Sequence, residues 1–237
     1  MRFVIKTILW DVDETLLNFG AAQRAALFTL FSEFGLGPCT DAMAARYDEI
    51  NHSFWQRLER NEITKPQVLI GRFEQFFSEY GIDPAVSVSF NDRYQLCLGD
   101  TIVYRDDCLK LLDFLKGRVR QYVVSNGTII AQTKKLERSG IGRRMDGIFL
   151  SEQLGAEKPN PAFFEKVFDA IRPASPNEVM IVGDSLTSDI RGGMNAGIKT
   201  CWYDPEGKPI PDGYRVDHVI THLFDLLPLL GFSREAL

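Results

Sequence analysis

Thr7-Ile8-Leu9-Trp10-Asp11-Val12-Asp13-Glu14-Thr15 is the stretch from which the rest of the chain is read. A short run with apolar side chains on both faces drops straight into a cluster of carboxylates. Such a run suits a strand buried between two helical layers, as in a parallel sheet. Four further runs share the design: Gln121-Tyr122-Val123-Val124 before Ser125-Asn126-Gly127, Gly147-Ile148-Phe149-Leu150, Val179-Met180-Ile181-Val182 before Gly183-Asp184, and Thr200-Cys201-Trp202-Tyr203. Helix-period stretches lie between them. Leu109, Leu111, Leu112 and Leu115 share one face, and Phe163, Phe164, Val167, Phe168 and Ile171 another. From about residue 100 the alternation predicts an α/β fold with a doubly wound parallel sheet.

Residues 18–98 read differently. Ala21 to Phe34, Asp41 to Arg60, Lys65 to Tyr80 and Val86 to Leu98 are helical in pattern, with Gly35, Asn61 and Gly81 as breaks. No buried-strand run interrupts them. The expected organisation is a core of residues 1–17 and 99–237 with an all-helical insertion at 18–98.

Composition narrows the function classes. Of 237 residues, 45% are apolar and 25% charged, the balance of an ordinary globular protein, and the net charge of −5 supplies no positive field for a nucleic acid polymer or an anionic membrane. The four cysteines stand far apart without a CxxC pair, which signals neither a zinc ribbon nor a disulfide framework. No apolar run reaches the roughly 20 residues of a membrane span. A cytoplasmic location is expected.

Open parallel sheets place their chemistry at the carboxyl ends of the strands, where Asp11 and Asp13 stand. Alone, such a pair reads as well as a solvated turn. Matched polar groups at the other strand ends change that. Ser125-Asn126-Gly127, followed by Thr128 and a helix, offers a hydroxyl and backbone N–H groups to a phosphate. Lys158, before Pro159-Asn160-Pro161, offers a compact ammonium. Gly183-Asp184 ends a later run, with Asp189 five residues on. Asp184 meeting Asp11 above the sheet would need a hard cation between the carboxylates, and magnesium fits.

These four elements together resemble the motifs of the haloacid dehalogenase superfamily of phosphatases, in order over nearly the whole chain. The resemblance implies a Rossmann-like core with an inserted type I helical cap. It makes Asp11 the nucleophile and Asp13 the general acid/base. Ser125, Asn126 and Gly127 become the phosphate-binding turn and Lys158 the charge-neutralising catalytic lysine. Asp11, Asp184 and the Asp13 backbone carbonyl become ligands of Mg2+, with Asp189 in support. Asn51-His52-Ser53-Phe54-Trp55, Gly71-Arg72-Phe73-Glu74, Ser151 to Pro159 and Asn195 to Trp202 are similar to the bacterial pyrimidine 5'-nucleotidase branch. The implied partner is a small phosphate monoester, a nucleoside monophosphate, acted on by a monomer or homodimer. Trp10 departs from the more usual phenylalanine and is expected to pack beneath the site.

Other functions share parts of this pattern. A sugar phosphomutase, or a phosphatase for a sugar phosphate or phosphoglycolate, carries every core motif. A haloacid dehalogenase has no need of Asp13, and a phosphonatase needs a cap lysine where only Lys65 stands. A phosphate-binding regulator without turnover would have no use for the intact set. His218 and His222 have i, i+4 spacing, but Val219-Ile220 reads as strand and Thr221 as a helix cap, so no shared helix face is expected. Phe73, Phe76, Phe77 and Tyr80 are expected in the core of the insertion, with Trp55 in that core or at its edge, the alternative being a ring that stacks on a base at the site.

Overall fold

A computed structural model of the protein describes residues 4–234. It divides into two compact units, one of residues 1–18 and 103–237, the other of residues 19–102. The boundaries expected from sequence, after residues 17 and 98, fall one and four residues earlier.

In chain order the elements begin with β1 (Thr7–Trp10), then α1 (Phe19–Glu33), α2 (Asp41–Glu59), α3 (Lys65–Glu79) and α4 (Ser87–Cys97). Next come α5 (Cys108–Leu115), β2 (Arg120–Ser125), α6 (Ile129–Arg138), β3 (Gly147–Leu150), α7 (Ser151–Leu154) and α8 (Pro161–Ile171). The chain continues through β4 (Val179–Gly183), α9 (Arg191–Ala196), β5 (Lys199–Tyr203), β6 (His218–Ile220) and α10 (Leu226–Leu229). The six strands form one sheet in the order β3-β2-β1-β4-β5-β6, every neighbouring pair parallel. This is the doubly wound α/β fold that the apolar runs predict.

Register does the positioning. Trp10 sits beside Val123 on one side and Val182 on the other, and the Asp11 N–H extends the ladder to the Val182 carbonyl at 2.9 Å. Asp11, Ser125 and Asp184 therefore leave the sheet side by side. The chain turns to opposite sides of the sheet after β1 and after β4, and ligands bind at such a switch point. Beneath it Trp10 is fully buried, as expected, its indole N–H donating to Gln121 Oε1 at 3.2 Å.

Burial follows the helix-period stretches: Cys108, Leu111, Leu112 and Leu115 of α5 are fully buried, and Phe163, Phe164, Val167 and Ile171 of α8 pack on Leu9, Val124, Val179 and Ile181. β3 departs from the expectation of burial on both faces. It is an edge strand, and Ile148 is 38% exposed because no layer covers that side.

The second unit is all helical. Gly35, Asn61 and Gly81, the expected breaks, all adopt left-handed backbone (φ 64°, 58° and 67°) just after α1, α2 and α3. Glycine and asparagine take that conformation at least cost, which stops a helix. Its core is aromatic: Phe31, Tyr47, Phe73, Phe76, Phe77, Phe90 and Tyr94 are buried, and Phe73 lies 5.0–5.1 Å from the rings of Tyr47, Phe90 and Tyr94. Tyr80, expected in this core, is 40% exposed and only flanks Phe76. Trp55 is half-buried, its indole N–H donating to Asn51 Oδ1 at 3.1 Å. The same Asn51 oxygen accepts from the buried Arg72 guanidinium at 2.7 Å, and Asn91 takes a second Arg72 N–H at 3.2 Å. His218 and His222 share no helix: His218 opens β6. The cap residue is His222 rather than Thr221, because its Nδ1 accepts the Phe224 N–H at 3.1 Å.

Candidate active site

The site is built where β1, β2 and β4 end. Lys158 is 1% exposed, and its ammonium donates to Asp11 Oδ1 at 2.7 Å, Asp189 Oδ1 at 2.7 Å and the Val124 carbonyl at 2.8 Å. All three N–H donors are thus used, which fixes the charge in place. Burial opposes that charge, but the carboxylates of Asp11 and Asp189 outweigh it and hold the lysine above its usual pKa. Lys158 stays cationic.

Two elements aim this lysine. The Asn126 side chain accepts the Lys158 N–H and donates to the Lys158 carbonyl, both at 2.8 Å, like one rung of a sheet ladder. On the other side, the Asp189 Oδ2 accepts the Ser185 N–H at 3.2 Å. Asp189 lies on a single π-helical turn, Leu186–Ile190, capped by Ser185. Such turns re-aim side chains at functional sites. Gly183 makes room for it: a Cβ there would lie 2.2 Å from Asp189 Oδ2.

Asp184 is locked by Thr15. The Thr15 hydroxyl donates to Asp184 Oδ1 at 3.2 Å and accepts the Asp184 N–H at 3.0 Å, while the Trp202 indole N–H of β5 donates to the Asp184 carbonyl at 2.7 Å. Carboxylate oxygens of Asp11, Asp184 and Asp189 lie within 4.8 Å of one another. Burial, with added repulsion from Asp189 and Asp13, pushes Asp11 up to about 7 against the pull of Lys158. Burial and then the charges of Asp11 and Asp189 push Asp184 well above the usual carboxylate range. Three crowded, dehydrated carboxylates facing one ammonium are short of positive charge. This donor set fits a hard divalent cation such as magnesium. Asp189 already accepts on both oxygens, so Asp11 and Asp184 have the more available ones.

The turn after β2 also takes shape around its hydroxyls. Ser125 is buried, its Oγ accepting the Gly127 N–H at 3.1 Å, and Thr128 caps α6 by accepting the Ala131 N–H at 3.2 Å. The segment is thus a turn with a capped helix start, and it presents the Ser125 hydroxyl at the end of β2. Asp13 stands apart from the three clustered carboxylates. Its Oδ2 accepts from Gln132 Nε2 and its Oδ1 from Lys135 Nζ, both at 2.6 Å.

The residues singled out from sequence thus gather at one end of the sheet. Sequence reasoning missed Gln132, Lys135, the two hydrogen bonds between Thr15 and Asp184, Trp202, and the grip of Asn126 on the Lys158 backbone. For Gln132 and Lys135 a signal was available: i, i+3 spacing on the helix that follows the Ser-Asn-Gly turn.

The fold and this constellation define a hydrolase of the haloacid dehalogenase type, and the chain belongs to that family: residues 5–197 match the model of the haloacid dehalogenase-like hydrolases. Among individual proteins, the chain is 38% identical to the pyrimidine 5'-nucleotidase PynA of Streptococcus pneumoniae, over 84% of each chain. It is 37% identical to the HAD-hydrolase YfnB of Bacillus subtilis over 86% of each, and 27% identical to the pyrimidine 5'-nucleotidase YjjG of Escherichia coli over 94% of this chain and 96% of that one. A crystal structure of YfnB bound to magnesium superposes with a TM-score of 0.89 at 35% identity, covering 97% of this chain and all of the other.

Proposed function

We propose that this hydrolase is a magnesium-dependent phosphomonoesterase that works through an aspartyl-phosphate on Asp11 and acts on pyrimidine nucleoside monophosphates. The observation that carries the reading is the buried Lys158 ammonium held 2.7 Å from Asp11 Oδ1 at the mouth of β1, beside Asp184. An ammonium fixed against a carboxylate at a strand end serves no packing purpose, and it would draw a phosphate oxygen to the atom that attacks.

In the first half-reaction an Asp11 oxygen forms a bond to phosphorus as the ester P–O bond breaks. The electron pair leaves on the alkoxide, which takes a proton from Asp13. Water then attacks the aspartyl-phosphate, returns a proton to Asp13, and frees Asp11 and inorganic phosphate. Lys158, its three N–H donors given to Asp11, Asp189 and Val124, offsets the charge of the phosphoryl group from beside Asp11, and the Ser125 hydroxyl with the Asn126 N–H would hold phosphoryl oxygens while the Gly127 N–H steadies Ser125 Oγ. Asp11, Asp184 and the Asp13 carbonyl would hold magnesium, which supplies Lewis-acid relief of charge at phosphorus.

Two of the relatives carry the pyrimidine 5'-nucleotidase name, and the helical unit is the natural place for discrimination between leaving groups, since the core motifs meet only the phosphoryl group. Among the described residues no helix is long and apolar enough to cross a membrane, and all four cysteines are free thiols, which suits a reducing cytoplasm.

The test is a substrate panel with magnesium. Higher kcat/KM for dUMP, UMP or dTMP than for AMP, glucose 6-phosphate or phosphoglycolate is expected. A sugar phosphate ahead by about tenfold, some 1.4 kcal/mol of transition-state preference, would remove the nucleotidase reading and leave the phosphatase. Asp11→Asn should lower turnover of p-nitrophenyl phosphate by several powers of ten with little change in folding. Turnover near the wild-type level in that variant would sink the covalent mechanism.

A further inference from the structure

The chain holds a second buried lysine beside a second catalytic carboxylate. Lys135 lies on α6 with a side chain 3% exposed, and its ammonium meets Asp13 Oδ1 at 2.6 Å. One turn earlier, Gln132 is fully buried and brings its Nε2 to Asp13 Oδ2, also at 2.6 Å. The Asp13 carboxylate is therefore gripped at both oxygens by one helix.

Two further observations show that this grip is built into the surroundings. Gly127 has no room for a side chain, since a Cβ there would lie 2.3 Å from Gln132 Nε2 and 2.8 Å from its Cγ. The turn after β2 is thus shaped around the Gln132 side chain. Moreover, Gln132 Oε1 is buried and accepts no hydrogen bond. The amide is oriented by Asp13 rather than by its own needs. An isolated polar surface contact would show neither feature.

We infer that Gln132 and Lys135 are positioning residues that hold Asp13 in the orientation from which it exchanges a proton with the leaving-group oxygen. This rests on the acid/base reading of Asp13. A carboxylate offers about four acceptor directions, and α6 uses one on each oxygen, so the remaining two stay open for the reacting groups.

The consequence is a dependence on the leaving group. A poor leaving group needs its proton as the ester bond breaks, and a good one does not. Phenyl phosphate and p-nitrophenyl phosphate have nearly the same shape and differ in this need. In kcat/KM, which reports the steps through ester cleavage, Lys135→Met and Gln132→Met should each lose at least about tenfold more on phenyl phosphate than on p-nitrophenyl phosphate. Lys135→Arg, which keeps a cation on the helix, should restore most of the phenyl phosphate rate. Asp13→Asn should show the same selectivity in stronger form. Thermal melts would verify folding, and should Lys135→Met not fold, Gln132→Met carries the comparison with the lysine in place. Equal losses on both esters in the α6 variants, with Asp13→Asn still selective, would overturn the positioning role alone. Equal losses in Asp13→Asn would overturn its acid role, and the positioning role with it.

Discussion

Asn126 shows how much one side chain can do without touching a reacting atom. It reads from sequence as part of a phosphate-binding turn, yet its amide is committed to both backbone groups of Lys158. Asn126→Ala removes two hydrogen bonds that hold the lysine loop against the end of β2. The expected cost is about 1–3 kcal/mol of stability, seen as a lower denaturant midpoint at unchanged m. It should also lower kcat by about tenfold or more as Lys158 loses its aim. A midpoint and a kcat both within error of wild type would show that the loop is held by other means. Arg72 poses a different problem in the helical unit. Its buried guanidinium rests on two neutral asparagines and on the faces of Phe73 and Tyr94, and its Nε has no hydrogen-bond partner.

At the scale of elements, β4 and the segment after it act together. Two glycines test this. Gly183→Ala would drive a Cβ into the Asp189 carboxylate, and Gly193→Ala would drive one to 2.7 Å from the methyl groups of Ile181 and Thr200. Both overpack, so both should lose about 1–3 kcal/mol of stability. Only Gly183→Ala should also collapse kcat, because it displaces the partner of Lys158. If the two variants lost activity alike, the π-helical turn would have no special role in aiming Asp189. β5 takes part through Trp202, whose indole is buried and bonded to the Asp184 carbonyl. Magnesium titrated into the chelator-treated protein should therefore change tryptophan emission, and Trp202→Phe should remove most of that change. An undiminished signal in Trp202→Phe would place the metal-sensitive tryptophan elsewhere.

For the molecule as a whole, crowding of carboxylates links stability to pH and to metal. The folded-state values of Asp11, about 7, and of Asp184 lie above the value of about 4 for an unfolded aspartate. Between those limits the native state binds more protons than the unfolded chain, so this part of the stability is present at low pH and lost as pH rises toward 7. The metal-free protein should then melt at a higher temperature near pH 5.5 than near pH 7.5. Magnesium at about a hundred times its dissociation constant should add about 2.7 kcal/mol near neutrality, and its benefit should shrink as protons compete for the same oxygens. Asp184→Asn should stabilise the metal-free protein near pH 7.5 and abolish the magnesium effect. Calorimetry at both pH values, with chelator and with magnesium, checks each point. A metal-free melting temperature that did not fall from pH 5.5 to 7.5 would contradict the crowding.

Local patterns along the chain were enough to read the strands, most helices and the charged residues that gather at the candidate site. Strand and helix follow from local periodicity, and a run such as Val179-Met180-Ile181-Val182 has few other ways to be buried. Gly35, Asn61 and Gly81 marked helix ends because their backbone preferences act over one residue. Asp11 and Asp184 were legible because residues that follow neighbouring parallel strands must meet, and Lys158 because a lysine just ahead of a helix start completed that set. What a buried polar side chain bonds to depends on groups far away in the chain, so those partners emerge only once the chain is folded. Thr15 and Asp184 are 169 positions apart, Asp13 and Lys135 are 122 apart, and no local pattern predicts either pair. The exposure of Ile148 and Tyr80 was decided the same way, since burial depends on which layer arrives to cover a face. Periodicity names the apolar face, and packing supplies or withholds its partner.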